Sequence, residues 1–318
     1  MISMKNIDDA AGSIADVIHR TPVLTSHTLS VLSDKRMFLK GEHLQLTGAF
    51  KIRGATNKVK AVAKEGAQHI VTASSGNHGQ AVAYIAEKLG LQATIVVPEN
   101  AVSSKVAAIR GYGANVIAYG TTSTERLNKA ESLIAEQKAV FIPPYDDPFI
   151  MAGQGTIGVE ILEQIPDVDV VYVPVGGGGL ISGISTAIKE SKPGIKVIGV
   201  EPEQANDTSL SIKRDEITAI DHIDTIADGL RTSQPGALTF PVIQKYVDDI
   251  VLVTEDEIKE AFVFVLERMK QLIEPSAAVA VAAAMTNKAG LYGRNVCSVI
   301  SGGNAAREQI ASLLLQAE

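Results

Sequence analysis

The chain has 318 residues, of which 46% are hydrophobic and 20% are charged, and this balance is typical of a folded globular protein rather than a disordered one. Acidic side chains outnumber basic ones by 36 to 29, so the net charge of −7 provides no broad basic surface for nucleic acid or anionic membranes. The single cysteine, Cys297, excludes an intrachain disulfide, and the acidic N-terminal stretch without a continuous apolar segment excludes a signal peptide. We therefore expect a cytoplasmic protein of about two domains.

Apolar strand patterns alternate with helical patterns along most of the chain. Two capping boxes, Thr122 with Glu125 and Thr254 with Glu257, each mark the start of a helix. This alternation predicts an α/β protein with parallel sheets covered by helices. In chain order the predicted strands are 70–73, 93–97, 115–118, 140–142, 168–175, 196–200 and 296–300, and the predicted helices are 80–89, 103–110, 122–137, 152–164, 180–190, 254–269, 276–286 and 305–315.

Four consecutive glycines, Gly176, Gly177, Gly178 and Gly179, stand between a predicted strand and a predicted helix. Glycines allow an anion to approach the backbone closely, and the free N–H groups at the start of a helix attract it. The run therefore predicts a phosphate-binding loop, with a merely flexible loop as the alternative. No Lys-Ser/Thr pair follows, so it is not a Walker A loop.

A second glycine pattern, Gly153-Gln-Gly155-Thr-Ile-Gly158, has the spacing of a dinucleotide-binding motif. The proline-rich stretch 143–148 precedes it, and this stretch cannot be the strand that such a motif requires. We therefore do not expect a nicotinamide cofactor. The same irregular stretch is the best candidate for a crossing between two domains.

Three further segments carry groups suited to chemistry. Lys51 lies between apolar neighbours, where burial would lower its pKa and favour a Schiff base. The polar segment 74–80 follows a strand and could hold an oxyanion or a carboxylate, or its Ser74 or Asn77 could simply cap a helix. Residues 301–304, Ser-Gly-Gly-Asn, form a third strand-to-helix junction, for which a tight turn is the alternative.

These segments, in this order, resemble those of the fold type II pyridoxal-phosphate enzymes, the family of the tryptophan synthase β-subunit and the threonine/serine dehydratases. The resemblance extends from Thr21 to Asn304 and is greatest to the serine racemases within that family. It implies two three-layer α/β domains with the cofactor in the cleft between them. The large domain would comprise residues 1–59 and 146–318, the small mobile domain residues 60–145, and the protein would be a homodimer.

The resemblance also implies how pyridoxal 5'-phosphate would be held. Lys51 would bind it as a Schiff base, Phe50 would stack on its ring, and Asn77 would bond the ring hydroxyl. Gly176 to Gly179 would hold the phosphate, and Ser301 would face the pyridine nitrogen. A neutral hydroxyl at that position does not enforce a protonated ring, which suits β-elimination and limits transamination.

For the substrate, the resemblance places Ser74, Ser75, Asn77 and His78 around the carboxylate, with Arg126 as a more distant partner. Racemisation needs a second acid/base group on the face opposite Lys51, and Ser75 stands at the position that would supply it. The alternative is that the Ser75 hydroxyl only donates a hydrogen bond to the carboxylate.

Two regulatory sites are implied as well. A divalent cation (Mg²⁺, Ca²⁺ or Mn²⁺) would be bound by the carboxylates of Glu201 and Asp207 and the carbonyl of Ala205, unless this is only an acidic surface loop. Part of an allosteric ATP site is matched, although Leu46 replaces a lysine tied to nucleotide binding. The matching residues are Gln80, Tyr112, Lys270 and Asn304. Outside that site, Tyr145 in the segment 143–148 stands where the racemases are expected to have an asparagine.

The implied function is a pyridoxal-phosphate-dependent racemase that interconverts L- and D-serine and also dehydrates serine to pyruvate and ammonia. The first alternative is a catabolic threonine/serine or 3-hydroxyaspartate ammonia-lyase, to which the segment 143–148 is more similar. A second alternative is a non-catalytic sensor of a phosphate ligand on the same scaffold.

Overall fold

The computed structural model describes residues 1–290 and 293–315 of the chain. Its described part contains ten strands in two sheets and thirteen α-helices. The strands are β1 (Val23–Thr25), β2 (Arg36–Gly41), β3 (His69–Ala73), β4 (Gln92–Val97), β5 (Asn115–Ala118), β6 (Val140–Phe141), β7 (Val170–Pro174), β8 (Lys196–Pro202), β9 (Asp249–Val253) and β10 (Asn295–Ile300). The helices are α1 (Met4–Ile14), α2 (His27–Ser33), α3 (Lys51–Lys64), α4 (Asn77–Leu89), α5 (Ser103–Gly111), α6 (Ser123–Gln137), α7 (Pro148–Gln164), α8 (Gly179–Ser191), α9 (Asp207–Arg214), α10 (Phe240–Tyr246), α11 (Glu255–Met269), α12 (Pro275–Met285) and α13 (Arg307–Leu315).

The larger sheet has six strands in the order β1-β2-β10-β7-β8-β9. All neighbours are parallel except β1 and β2, which pair antiparallel with Val23 opposite Lys40. Every residue of β7 is buried, as expected for an uninterrupted apolar strand covered on both faces. Helices α11 and α12 pack on one face and α7 and α8 on the other, so two apolar cores sandwich the sheet.

The smaller sheet is fully parallel, with the order β5-β4-β3-β6, and it uses only residues 69–141. Helices α3 and α4 cover one face, and α6 packs on the other through Ala130 and Leu133. The α/β class with parallel sheets is therefore confirmed. The mobility expected of residues 60–145 stays a prediction.

Helix starts and glycine positions follow the local chemistry of the sequence. Both capping boxes form, since Thr122 Oγ1 accepts from the N–H of Glu125 and Thr254 Oγ1 from that of Glu257, each at 3.2 Å. The 153–158 motif lies inside α7, where a Cβ at Gly153 would stand 2.6 Å from Gly54 Cα. These glycines bring α7 into close contact with α3 and α8, which gives the motif a packing role. Within the described residues, no helix is long and apolar enough to cross a membrane.

Candidate active site

Three strand-to-helix junctions meet at the carboxyl ends of strands from both sheets, where parallel α/β proteins bind their ligands. They are the residues after β3, β7 and β10. The Phe50 N–H donates to the Ser301 carbonyl at 3.0 Å, and Ala49 forms a β-bridge with Gly302. The start of α3, which carries Lys51, is thereby held against the end of β10.

Lys51 lies at this meeting point with a carbonyl as its hydrogen-bond acceptor. Its Nζ donates to the Pro144 carbonyl at 2.7 Å and stands 5.1 Å from the centre of the Phe50 ring. Burial lowers the pKa of Lys51 to about 8, against the opposing effect of the Glu274 charge. Near neutral pH, Lys51 is therefore the neutral, nucleophilic amine far more often than an ordinary lysine is.

Asn77, the first residue of α4, is held from both sides. Its Nδ2 donates to Glu274 Oε1 at 2.8 Å, and its Oδ1 accepts from Asn304 Nδ2 at 2.8 Å. Glu274 is buried before the proline that begins α12, and burial together with the Asp228 charge raises its pKa to about 7. The side-chain amide of Asn77 is thus fixed across the cleft between the two sheets.

Glu274 was not predicted as a site residue, although it contacts one. The only sequence signal was the segment Ile273-Glu274-Pro275, a carboxylate placed directly before a helix-starting proline. Its partner Asn77 is 197 residues away in the chain, so spacing could not connect the two.

The glycine run forms a bare stretch of backbone at the start of α8. Gly178 has φ +92°, a conformation that glycine adopts without strain, and a Cβ at Gly177 would overlap the ring of Tyr145. The Gly177 carbonyl accepts from Thr239 Oγ1 at 2.7 Å. The first N–H groups of α8 have no acceptor within the helix, so this junction fits a phosphate.

The segment after β3 places small polar groups at the same edge. Ser74 and Ser75 are half-buried, and the Gly76 N–H approaches Ser74 Oγ at 3.4 Å. His78 is buried, with Nε2 at 3.0 Å from the Ile142 carbonyl, so Nε2 carries the donated proton. Burial and the nearby Lys51 charge lower the pKa of His78 to about 3, which keeps the imidazole neutral.

Arg126 is placed differently from the other predicted substrate residues. Its Nη1 donates to the carbonyls of Thr121 and Thr122, which directly precede α6, at 3.3 and 2.9 Å. These bonds hold the guanidinium to its own segment rather than to residues 74–78.

The predicted cation ligands form a buried acidic pair, Glu201 at the end of β8 and Asp207 at the start of α9. Glu201 accepts from the N–H groups of Thr208 and Ser209 at 2.9 and 2.8 Å. Burial raises the pKa of Glu201 to about 8, with a further contribution from the Asp207 charge, and burial raises that of Asp207 to about 7. Ala205 is buried between them in sequence.

One oxygen of this acidic pair, Asp207 Oδ2, is buried without a hydrogen-bond partner among the described residues. Two buried carboxylates with an unpartnered oxygen fit a hard divalent cation, which prefers oxygen ligands. In the part of the chain that the structure describes, no three His, Cys, Asp or Glu side chains lie close enough together to hold a metal ion, so such an ion would take its remaining ligands from carbonyls and water.

The four residues of the predicted nucleotide site lie on separate elements. Gln80 is buried in α4, and the Tyr112 ring stands edge-on to the Tyr84 ring with ring centres 5.5 Å apart. Lys270 directly follows α11 and donates to the Glu267 carbonyl. Asn304 instead joins the active site through Asn77. A polar cavity of about 320 Å³ next to Lys270 includes Arg268 and Gln271 in its lining.

Comparison with known proteins agrees with this geometry. The family model "Pyridoxal-phosphate dependent enzyme" matches residues 14–302. The chain is 45% identical to an L-threonine ammonia-lyase of Thermotoga maritima over 96% of this chain and 76% of that protein. It is 43% identical to the serine racemase of Rattus norvegicus over 95% of this chain and 93% of that protein.

Among solved structures, that of maize serine racemase superposes with a TM-score of 0.95 at 36% identity, covering 99% of this chain and 97% of that one. The fold type II architecture expected from the sequence is therefore confirmed. Together with the match over residues 14–302, this similarity shows that the chain belongs to the family of pyridoxal-phosphate dependent enzymes.

Proposed function

We propose that the protein is a serine racemase that also eliminates water from serine to give pyruvate and ammonia. The observation that carries this proposal is the Lys51 amine, which lies where the three junctions meet and donates to the Pro144 carbonyl. Relatives named as serine racemases and as ammonia-lyases support the two halves of the proposal.

The residues present fit pyridoxal phosphate. Lys51 would hold it covalently, Phe50 and Ser301 would contact its ring, Asn77 would bond its hydroxyl, and the N–H groups of Gly176–Gly179 would hold its phosphate. When bound, the cofactor withdraws electrons from the substrate α-carbon and so acidifies the α-proton.

The chain's own groups would then move that proton. Lys51, with its pKa lowered to about 8, accepts the proton on its face and can return it. Ser75 would serve the opposite face, while His78, with a pKa of about 3, stays neutral and only positions residues near Ile142. Exchange between the two faces gives racemisation, whereas loss of the β-hydroxyl after the first proton removal gives elimination.

An ammonia-lyase acting on threonine or 3-hydroxyaspartate is the second candidate. Tyr145 favours it, because this residue packs on the glycine run where the racemases were expected to carry asparagine. Such an enzyme needs only Lys51 for proton removal and has no requirement for Ser75.

The experiment that separates the candidates is chiral product analysis of L- and D-serine with Ser75→Ala. If Ser75 is the second base, racemisation and D-serine elimination are lost, while L-serine elimination by Lys51 persists. The adjacent variant Ser74→Ala is the control: as the loss of a carboxylate ligand only, it should weaken turnover of both enantiomers alike without abolishing racemisation. Equal losses on both enantiomers in Ser75→Ala would mean that Ser75 only binds the carboxylate, and wild-type protein without racemisation would favour the ammonia-lyase.

We further propose that a divalent cation binds the acidic pair and stabilises the fold. The support is the unpartnered Asp207 Oδ2 and the raised pKa of both carboxyls. Activation by ATP through Gln80, Tyr112, Lys270 and Asn304 stays a prediction.

A further inference from the structure

The segment that crosses between the two sheets, Pro144–Asp147, contacts two parts of the cofactor site, Lys51 and the glycine run. The Pro144 carbonyl accepts from Lys51 Nζ, and Tyr145 packs on Gly177 and Gly179. Asp147 caps the start of α7 by accepting from the Phe149 N–H at 2.8 Å. One residue of this crossing segment, Asp146, has no role in the proposed function.

Asp146 binds a loop rather than the cofactor site itself. Its carboxylate accepts from three successive backbone N–H groups, those of Ala237, Leu238 and Thr239, at 3.1, 2.8 and 3.1 Å. A Cβ at Gly236 would overlap this carboxylate, so the loop passes directly against it. Hydrogen bonds from N–H groups to a carboxylate are charge-assisted, and they are stronger than hydrogen bonds between two neutral groups.

The loop held by Asp146 in turn holds the glycine run. Thr239 Oγ1 donates to the Gly177 carbonyl at 2.7 Å, and the Gly236 N–H approaches the same oxygen at 3.3 Å. In a trans peptide the C=O and the following N–H point in opposite directions. Because the Gly177 carbonyl is held toward residues 236–239, the Gly178 N–H points away from them. This N–H can then donate to an anion at the start of α8.

We propose that Asp146 is a positioning residue for phosphate binding, which orients the Gly177–Gly178 peptide through Thr239 and so sets the affinity for the phosphate group of the cofactor. The glycine run has no side chains to hold its own conformation, so its order must come from neighbouring contacts. This inference rests on the assignment of Gly176–Gly179 as the phosphate loop.

The test compares the binding of pyridoxal 5'-phosphate and of pyridoxal, which lacks the phosphate, to cofactor-stripped protein by absorbance titration. Asp146→Ala should bind pyridoxal 5'-phosphate about tenfold to a hundredfold more weakly and pyridoxal as the wild type does. Asp146→Asn keeps one acceptor oxygen and should be intermediate. Asp169→Ala is the matched control, because Asp169 also accepts from two backbone N–H groups, those of Arg294 and Asn295, away from this loop.

An equal loss of affinity for both compounds in Asp146→Ala, or affinity for pyridoxal 5'-phosphate within about twofold of the wild type, would overturn the proposal. If Asp146→Ala does not fold, Thr239→Val decides by the same criterion, because it removes only the hydroxyl that bonds Gly177. Gly176→Ala separates this inference from the assignment of the phosphate loop. If both Asp146→Ala and Gly176→Ala leave pyridoxal 5'-phosphate binding unchanged, the assignment of the loop fails. If only Gly176→Ala weakens binding, the loop assignment stands and the role of Asp146 is rejected.

Discussion

The molecule buries charges in two contrasting ways. The inner ionic cluster, made of Lys40, Glu42, Arg53 and Glu160, contains two cations and two anions in mutual contact. Arg53 donates to Glu42 Oε2 at 2.8 Å and to Glu160 Oε1 at 2.7 Å, and Lys40 donates to Glu160 Oε2 at 2.5 Å. The acidic pair Glu201–Asp207 instead buries two charges of one sign, and Lys51 donates to a carbonyl and forms no ion pair with the described residues.

The pKa values of the carboxyls follow this contrast. Burial alone would raise the pKa of Glu160, but its hydrogen bonds and charge interactions with Arg53 and Lys40 lower it overall. Around the acidic pair no cation of the described residues opposes burial, and the pKa values of Glu201 and Asp207 rise to about 8 and about 7. We infer that a buried charge with its counter-charge inside the chain is structural, whereas one without it marks a place where a ligand binds.

The largest effect is expected from opening the inner ionic cluster. Arg53→Leu leaves Glu42 and Glu160 buried with one fewer cation, so the free energy of unfolding should fall by about 3–5 kcal/mol in urea titrations. Adding Glu42→Gln, which removes the carboxylate that Arg53 paired, should recover part of the loss, while Glu160 is kept because it still pairs with Lys40. A fall below about 1 kcal/mol for Arg53→Leu would show that the cluster does not depend on its central cation.

A smaller effect is expected from filling the acidic pair. Mg²⁺ or Ca²⁺ at a hundredfold excess over its Kd should stabilise the metal-free protein by about 2.7 kcal/mol, and EDTA should reverse this. Glu201→Gln should abolish the response in thermal melts, while the exposed neighbour Glu203→Gln should keep it. Identical melting of wild-type protein with and without the cation would contradict the site.

The two buried lysines should respond in opposite ways to removal of their charge. Lys40→Met removes the cation that pairs with Glu160 and should destabilise the protein. Lys51→Met removes a cation that donates to a carbonyl rather than to a carboxylate, so the melting temperature of cofactor-free protein should be unchanged or higher. Lys51→Met should nevertheless lose the visible absorbance of the bound cofactor and all activity. If the two variants lowered the melting temperature by similar amounts, Lys40 and Lys51 would contribute alike to stability, contrary to the proposed contrast between the inner ionic cluster and the active site.

Much of the fold could be predicted because long apolar strands and capped helices carry local signals. The predicted strand 115–118 coincides with β5, and both capping boxes start helices as predicted. The strands β2 and β9 were not predicted. Arg36 and Lys40 interrupt the apolar pattern of β2, Asp249 is the first residue of β9, and both strands pair with strands that are distant in the sequence. Helix α1 was also missed, although Ile7, Ala10 and Ile14 line its buried face at helical spacing.

The candidate site divides in the same manner. Lys51, Asn77 and the glycine run could be predicted because each belongs to a local segment of recognisable chemistry. Glu274 and Asp146 could not, because their roles arise from contacts 197 and about 92 residues away, which only folding creates. Such long-range contacts leave no spacing in the sequence to detect.

The smallest expected effect in this comparison of buried charges is a shift in the titration of Lys51 itself. Acetylation of cofactor-free protein, followed by peptide mass spectrometry across pH, requires the neutral amine and should show a midpoint for Lys51 near pH 8, below the 10.5 of an ordinary lysine. Because the Glu274 carboxylate favours the charged form of Lys51, Glu274→Gln should move this midpoint to still lower pH. Free acetyl-lysine amide calibrates the reagent at each pH. A Lys51 midpoint near 10.5 would mean that burial does not lower its pKa, and an upward shift in Glu274→Gln would show that Glu274 is not the opposing charge.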